Sequence, residues 1–156
     1  MAKTPASGMT AGVLLQEVVQ ERIQCRANLL KKNAVDDASC ELCRQSNEDC
    51  NHIIFTCPFA VQVWAHLGVD TTGGSVASLW TVPRPATVPP KHYDSFLLLT
   101  CWHTWKHRNE IVFNGAPPSL RRLLTACSQD AMLWSCRWPQ SERMIADAWC
   151  RVFSQM

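Results

Sequence analysis

The stretch that decides the fold is CELCRQSNEDCNHIIFTCP, residues 40–58. Two residues separate Cys40 from Cys43, eight separate Cys43 from His52, and four separate His52 from Cys57. A two-residue spacing lets two thiolates face one point about 2.3 Å from each sulfur while backbone N–H groups turn towards them. The spacing therefore predicts one zinc ion held by three thiolates and one imidazole, from Cys40, Cys43, His52 and Cys57.

Such a shell is closed, since four protein ligands leave no position for water, and it is typical of a structural rather than a catalytic site. Residues 35–56 are polar and lack an amphipathic period, so this segment has too little apolar core to fold without a cross-link such as a bound metal ion, here called a staple. The alternative is that these cysteines are ordinary buried thiols, which the charged neighbours of Cys40 and Cys43 disfavour. Cys50 is a rival ligand, but its position two residues before His52 makes joint coordination awkward. His66 is a weaker rival, on the far side of a helix that starts at Pro58.

Helical patterns flank the motif on both sides. Upstream, Thr10 is a predicted cap for a helix towards Asn33, with a break near Cys25 left open. Downstream, Pro58 begins a helix whose apolar stripe consists of Ala60, Val63, Trp64 and Leu67, with Gly68 as its C-cap.

The sequence pattern in the second half of the chain predicts three more helices. Residues 69–92 contain Gly73, Gly74, Pro83, Pro85, Pro89 and Pro90 and read as a linker anchored by Trp80. The strongest helix, Tyr93–Phe113, carries an apolar seam formed by Leu98, Trp102, Trp105, Asn109 and Val112. Further helices begin at Ser119 and Ser141, the last with its apolar side formed by Met144, Ile145, Ala148, Val152 and Phe153.

No period-two pattern indicates a strand, so the predicted fold class is mainly α. We expect a small helical domain, residues 1–68, with the zinc-stapled CCHC segment between its first two helices. Residues 69–92 form the linker, and residues 93–156 form a C-terminal helical lobe. The chain of 156 residues is 47% apolar and 18% charged, which is typical of a globular protein.

Charge and cysteine content restrict the expected cellular compartment but do not define a binding partner. The net charge of +2 neither favours nor excludes a polyanion. Nine cysteines without a secretory signal favour a reducing compartment, nuclear or cytoplasmic, and not secretion. The most apolar run, residues 96–102, is far shorter than the roughly 20 residues of a membrane span, so we expect no membrane partner. The non-ligand cysteines are predicted to be small buried hydrophobes, namely Cys25, Cys101, Cys127, Cys136 and Cys150.

Four segments in order resemble a known family. They are RIQCRANL at residues 22–29, CELC at residues 40–43, HIIFTCPFA at residues 52–60, and Val63-Trp64. Together they are similar to the reverse transcriptase zinc-binding domain, which lies near the C-terminus of the polyprotein of plant-type non-LTR retrotransposons. The likeness is tight over residues 22–67. Residues 99–109 are more loosely similar to the "W-x-x-W-K-x-R-N" helix that often follows the finger.

The resemblance implies an accessory module that holds RNA or DNA. A basic rim beside the finger would then contact phosphates through Arg22, Arg26, Lys31, Lys32 and Arg44. Nearby acidic residues blunt that field. No Tyr/Phe-x-Asp-Asp signature and no acidic constellation occur in the sequence, so we expect a free-standing fragment without polymerase activity, either domesticated or a degenerate remnant.

Two other classes of function remain for comparison. A protein-interaction or scaffold module would use the apolar side of the first helix or the Trp102 and Trp105 seam, although a Trp-rich core is the simpler interpretation. An enzyme is not expected, because the sequence has no nucleophile–base pair, useful carboxylate pair or phosphate-binding loop. Cys101 and His103 point apart on one helix and do not make a catalytic pair. No small-molecule substrate is predicted.

Overall fold

The structure is a computed structural model that describes residues 25–45 and 47–155. These residues form helices joined by turns and loops, and no β-strand occurs among them. The α-helices are α1 Arg26–Lys31, α2 Pro58–His66, α3 Tyr93–Asn114, α4 Leu120–Ser135 and α5 Met144–Ser154. A π-helical turn, His52–Thr56, precedes α2, and 3₁₀ helices occupy Val76–Thr81 and Gln140–Glu142. The mainly α prediction, with a C-terminal helical lobe, is confirmed. No helix of the described residues has the length and apolarity that crossing a bilayer requires.

One buried cluster joins the zinc-binding segment to the C-terminal helices. Trp64 donates its indole N–H to the Ile54 carbonyl at 2.7 Å. Phe96 of α3 stacks on Phe153 at 5.3 Å between ring centroids and meets the edge of Trp149 at 5.5 Å. All five residues belong to the same cluster, so apolar burial, the main stabilising term in folding, links both halves of the chain.

Residues 69–92 also contribute to this core. Their buried members are Val69, Val76, Leu79, Val82 and Val88. Trp80 is half-buried against the cluster, which confirms its predicted role as an anchor. The division into residues 1–68, 69–92 and 93–156 stays a prediction, which zinc removal can test.

Local signals placed the helix ends correctly. Pro58 occupies the first position of α2, where its missing N–H is not needed, and Gly68 follows that helix with φ +70°. Ser119 caps α4 by accepting the backbone N–H of Arg122 at 3.2 Å. Gly115 ends α3 with φ +65°.

The prediction that the seam of Leu98, Trp102, Trp105, Asn109 and Val112 forms the buried face of α3 is wrong. Trp102 is 42% exposed, while the opposite side of the helix is buried. That side is covered because α3 contacts both the π-helical turn and α4. Its two threonines are satisfied within the helix: Thr104 Oγ1, for example, donates to the Thr100 carbonyl at 2.7 Å. The buried set is Phe96, Leu97, Leu99, Thr100, Cys101, His103, Thr104, His107 and Arg108.

The break near Cys25, which the sequence left open, is present, and one further helix prediction needs correction. Cys25 has extended backbone and α1 begins only at Arg26. The predicted stretch from Thr10 to Gln24 lies outside the described residues. In α5, Met144 is 69% exposed and Trp149 is buried instead, because the helix turns Trp149 towards Phe96.

Candidate metal centre

The four predicted ligands converge on one point. Their ligand atoms all lie within 4.8 Å of one another. Cys40 Sγ and Cys57 Sγ are 3.9 Å apart, and Cys43 Sγ lies 3.3 Å from His52 Nε2. A tetrahedral shell with Zn–S bonds of about 2.3 Å and a Zn–N bond of about 2.0 Å has S–S edges of about 3.8 Å and S–N edges of about 3.5 Å. Donor set and spacing therefore form a site for one zinc ion.

A tight backbone loop positions the first two sulfurs. The N–H of Arg44 donates to the Cys40 carbonyl at 2.8 Å, and the N–H of Cys40 donates to the Gln45 carbonyl at 2.9 Å. Arg44 takes the left-handed conformation, with φ 64°, to close this loop. Because both ends of the loop are bonded, Cys40 and Cys43 face the same point.

The π-helical turn brings in the other two ligands. Its wide hydrogen bond runs from the N–H of Cys57 to the His52 carbonyl at 2.7 Å, and Asp49 Oδ1 accepts the His52 N–H at 2.7 Å. Thr56 Oγ1 lies 3.2 Å from His52 Nδ1, which leaves Nε2 to bind the metal ion. Such a partner fixes the tautomer and orientation of a metal-binding imidazole. The role of Thr56 was missed from the sequence, where only its position four residues after His52 signals it.

Electrostatics favour a cation between the sulfurs. The hydrogen bond between Cys40 and Cys57 is the largest effect on both thiols; it lowers the pKa of Cys57 and raises the pKa of Cys40, which burial raises further. Two sulfurs this close can both be thiolates only when a positive charge offsets their repulsion. Cys57 also precedes α2, where the N–H of Phe59 favours its thiolate.

A buried ion pair fixes the metal-binding segment to α3. Glu48 is fully buried, and its carboxylate accepts hydrogen bonds from Nη2 of Arg108 and, at 3.2 Å, from Nε of Arg108. The same carboxylate accepts the backbone N–H of Arg26 at 3.0 Å. Cys40 and Cys57 line a small cavity together with Glu48 and Arg108. The sequence showed Glu48 only as a nearby negative charge, because its partner lies 60 residues away.

The rival ligands lie elsewhere. Neither Cys50 nor His66 belongs to the cluster of four ligand atoms. The Cys50 thiol instead forms a hydrogen bond with Cys25, and this hydrogen bond lowers the pKa of Cys25 to about 6. Among the remaining cysteines, Cys101 and Cys127 are buried as predicted together with Cys25, and Cys150 is partly buried. Cys136 is exposed at the end of α4, so its predicted burial is wrong.

The predicted nucleic-acid residues are not a uniform basic surface. Arg26 donates to Glu41 at 2.7 Å and to the Asp37 carbonyl at 3.2 Å, so it holds the loop together. Lys31, Lys32 and Arg44 are exposed, and Arg22 lies outside the described residues. Residues 25–68 contain four basic and five acidic side chains, which limits the attraction for phosphates. Phosphate binding by these five residues stays a prediction.

Two buried histidines of α3 give the fold a pH dependence. His107 stacks on Phe59 at 5.1 Å, and its Nε2 accepts the Ser119 N–H at 3.1 Å, which requires a neutral ring. Burial, and then the positive charge of Arg122, lower the pKa of His107 below 6.5. Burial also lowers the pKa of His103, although Asp130 Oδ2 lies 2.7 Å from its Nε2.

We expect stability to fall as pH falls below about 6.5, because the unfolded chain then binds more protons than the folded chain. The measurement is the free energy of unfolding in urea from about pH 7.5 to about pH 5.5 in excess zinc. His107→Gln keeps an acceptor for Ser119 and cannot titrate, so its pH slope should be smaller. Equal slopes would refute the role of His107, since acid-induced zinc loss affects both proteins alike.

The comparison with known proteins agrees with this geometry. Residues 7–64 match the family model described as zinc-binding in reverse transcriptase. That range contains all four ligands, and its first 18 residues precede the described part of the chain. No curated protein and no solved structure matches the chain. Residues 7–64 therefore match a reverse transcriptase zinc-binding domain, and the Cys₃His cluster within them forms a site for one zinc ion.

Proposed function

We propose that this zinc-binding domain belongs to a retrotransposon-derived module that binds RNA or DNA and has no polymerase activity of its own. The supporting observation is the closed Cys₃His shell, which rigidifies a polar segment and leaves no coordination position for a substrate. A rigid surface beside such a zinc site is suited to binding a nucleic acid rather than to catalysing a reaction. Catalytic residues and a small-molecule substrate have no place in this proposal.

The same proposal places the protein in a reducing compartment, the nucleus or the cytoplasm. None of the nine cysteines, all of which lie among the described residues, forms a disulfide, and zinc coordination needs thiolates rather than disulfides.

Binding is testable by fluorescence anisotropy with the full zinc-loaded chain. The probes are fluorescein-labelled 12-nucleotide oligouridine and oligothymidine strands and a 12-base-pair DNA duplex. We expect binding whose affinity falls as salt rises, because phosphate contacts release counterions. The double variant Lys31→Glu plus Lys32→Glu measures how much the predicted basic rim contributes to the affinity. Each lost phosphate contact should reduce the slope of log affinity against log salt concentration by about 1. Absence of binding to every probe at low salt would refute the proposed function.

A second candidate function is a protein-interaction or scaffold module. It is favoured by exposed apolar side chains on α4, where Leu133 is 65% and Met132 is 49% exposed. Such side chains mark contact sites when they form a continuous patch. If wild-type protein binds no oligonucleotide but self-associates, and Leu133→Glu restores the monomer, the scaffold function replaces the first.

A further inference from the structure

We propose that the outer face of α3 is a stacking platform for single-stranded nucleic acid. Trp102 and Phe113 contact bases on this platform, and Lys106 contacts a phosphate between them. The inference rests on the proposed function and deepens it, since it moves the binding surface from the rim of the zinc finger to α3.

The platform is a single stripe along α3. Trp102, Lys106, Asn109 and Phe113 follow one another at steps of four, three and four residues, which places them on one face of a helix. Trp102 is 42% exposed and Phe113 is 66% exposed. Eleven residues at 1.5 Å each separate these rings by about 16 Å along the helix axis. That length corresponds to about five stacked nucleotides at 3.4 Å each, and to fewer in an extended strand.

Neighbouring side chains hold Trp102 in position. The ring of Trp105 lies 5.3 Å from that of Trp102 at an angle of 43°, and Lys106 Nζ lies 5.9 Å from the centroid of Trp102. Asn109 is oriented by Arg108, whose Nη1 donates to its Oδ1 at 2.9 Å. An aromatic surface arranged before binding loses little conformational freedom when a base stacks on it. The Lys106 ammonium, on its flexible stem, can turn from the ring to the phosphate of that base.

The net charge of the C-terminal segment is more favourable for a polyanion than that of the zinc-binding segment. Residues 93–156 contain seven basic and five acidic side chains, whereas residues 25–68 contain four and five. The acidic residue Glu110 follows Asn109 directly on α3. Its carboxylate lies 3.5 Å from Arg122 Nη2 and 3.8 Å from His107 Nδ1, so a neighbouring cation offsets its charge. A phosphate chain along the stripe can therefore pair with Lys106 while Arg122 offsets the charge of Glu110.

The pattern favours a single strand over a duplex or a protein. Bases stack on aromatic side chains only when they are unpaired, and this stacking is tolerant of sequence. A protein partner favours a continuous apolar patch, whereas Lys106 and Asn109 interrupt this stripe between its two aromatic ends. Two π surfaces with a cation between them match the alternation of bases and phosphates.

The test is the anisotropy titration of the same three probes with single-site variants of the full zinc-loaded chain. Trp102→Ala and Phe113→Ala should each weaken binding to the 12-nucleotide strands about 5- to 150-fold, the range of one base–aromatic contact. Lys106→Glu should weaken binding and reduce the salt slope by about 1. Wild-type protein should bind both single strands more tightly than the duplex.

Leu133→Ala is the matched control, because Leu133 is as exposed as Phe113 but lies on α4. Its affinity should equal that of the wild type, and zinc content and the urea midpoint confirm that each variant is folded. Wild-type affinity in Trp102→Ala and Phe113→Ala, with loss in Lys31→Glu plus Lys32→Glu, overturns the platform and keeps nucleic-acid binding. Preference for the duplex also overturns the platform. No binding of any probe overturns the proposed function itself, and self-association lost in Phe113→Ala would then assign α3 to a protein partner.

Discussion

Removal of zinc is expected to unfold the whole described chain in one cooperative transition. Structural zinc contributes about 10–16 kcal/mol in small peptide modules, which equals or exceeds the usual stability of a domain, about 5–15 kcal/mol. The segment that holds the ligands also supplies buried core residues, Ile53, Ile54 and Phe55, which pack in one cluster with Phe96 and Trp149. Loss of the metal therefore removes both the staple and part of the shared core.

The measurement combines zinc content with far-UV circular dichroism before and after chelation. The α1 helix, the π-helical turn and α2 contain 6, 5 and 9 residues, whereas α3, α4 and α5 contain 22, 16 and 11. Unfolding of the zinc-binding segment alone would remove less than a third of this helix signal. A loss of that size, with the rest melting later, would contradict the prediction and favour separate units at residues 1–68 and 93–156.

Ligand identity is tested by serine variants. Cys57→Ser should abolish stoichiometric zinc binding and give the circular dichroism spectrum of the chelated protein, because the shell loses one of its three thiolates. Cys50→Ser is the matched control, since Cys50 lies in the same segment but outside the cluster of ligand atoms. It should retain one zinc per chain, as should Cys136→Ser at an exposed position. Loss of zinc in Cys50→Ser would show that the ligand set is wrong.

The zinc site was predictable because its information is local. Coordination chemistry requires donor atoms at short range, and the spacing of Cys40 and Cys43 meets that requirement within one turn of chain. Pro58 similarly marks the start of α2 without any knowledge of tertiary contacts. The π-helical turn was not predictable, because residues 52–56 carry no propensity that distinguishes it from an ordinary turn.

The face of a helix depends on its neighbours, which periodicity does not reveal. The seam of Trp102 and Trp105 has the right period, yet α3 buries the side that meets the π-helical turn and α4. That side includes Thr100, Thr104 and Arg108, which a hydropathy pattern places in solvent. The two threonines can be buried because they donate to backbone carbonyls of the same helix, and Arg108 can be buried because it pairs with Glu48.

The surroundings of the predicted basic rim also depend on partners that are distant in sequence. Arg26 was predicted as a phosphate ligand, but Glu41 lies 2.7 Å from it after the chain turns at the zinc loop. A charge on a predicted helix is assigned to solvent until a partner distant in sequence is known. The same limit hid the pair of Glu48 and Arg108.

Arg108→Met is expected to lower the free energy of unfolding by about 3–5 kcal/mol, the usual cost of leaving a buried charge without its partner. Only 4% of the Arg108 side chain and none of the Glu48 side chain is exposed, so water cannot replace the lost guanidinium. Glu48→Gln should cost a similar amount, because it leaves the guanidinium buried. Urea unfolding at neutral pH in excess zinc measures both changes.

The double variant Glu48→Gln plus Arg108→Met measures how strongly the two side chains stabilise each other. It removes both charges, and the side-chain amide oxygen of the substituted residue can still accept the N–H of Arg26, which Glu48 accepts at 3.0 Å. We expect the double variant to be more stable than the sum of the single effects predicts, by about 1–3 kcal/mol, as for residues in one network. Additive effects would mean that Glu48 and Arg108 do not stabilise each other.

A surface pair provides the matched control for burial. Arg26 and Glu41 are 2.7 Å apart, with side chains 18% and 36% exposed, and exposed ion pairs contribute about 0–1 kcal/mol. Glu41→Gln should therefore change stability by less than about 1 kcal/mol. If Arg108→Met costs no more than Glu41→Gln, the ion pair does not fix the zinc-binding segment to α3. If it costs several-fold more, zinc content in Arg108→Met should also fall at limiting metal, because Cys40 and Cys57 line the cavity that Glu48 and Arg108 close.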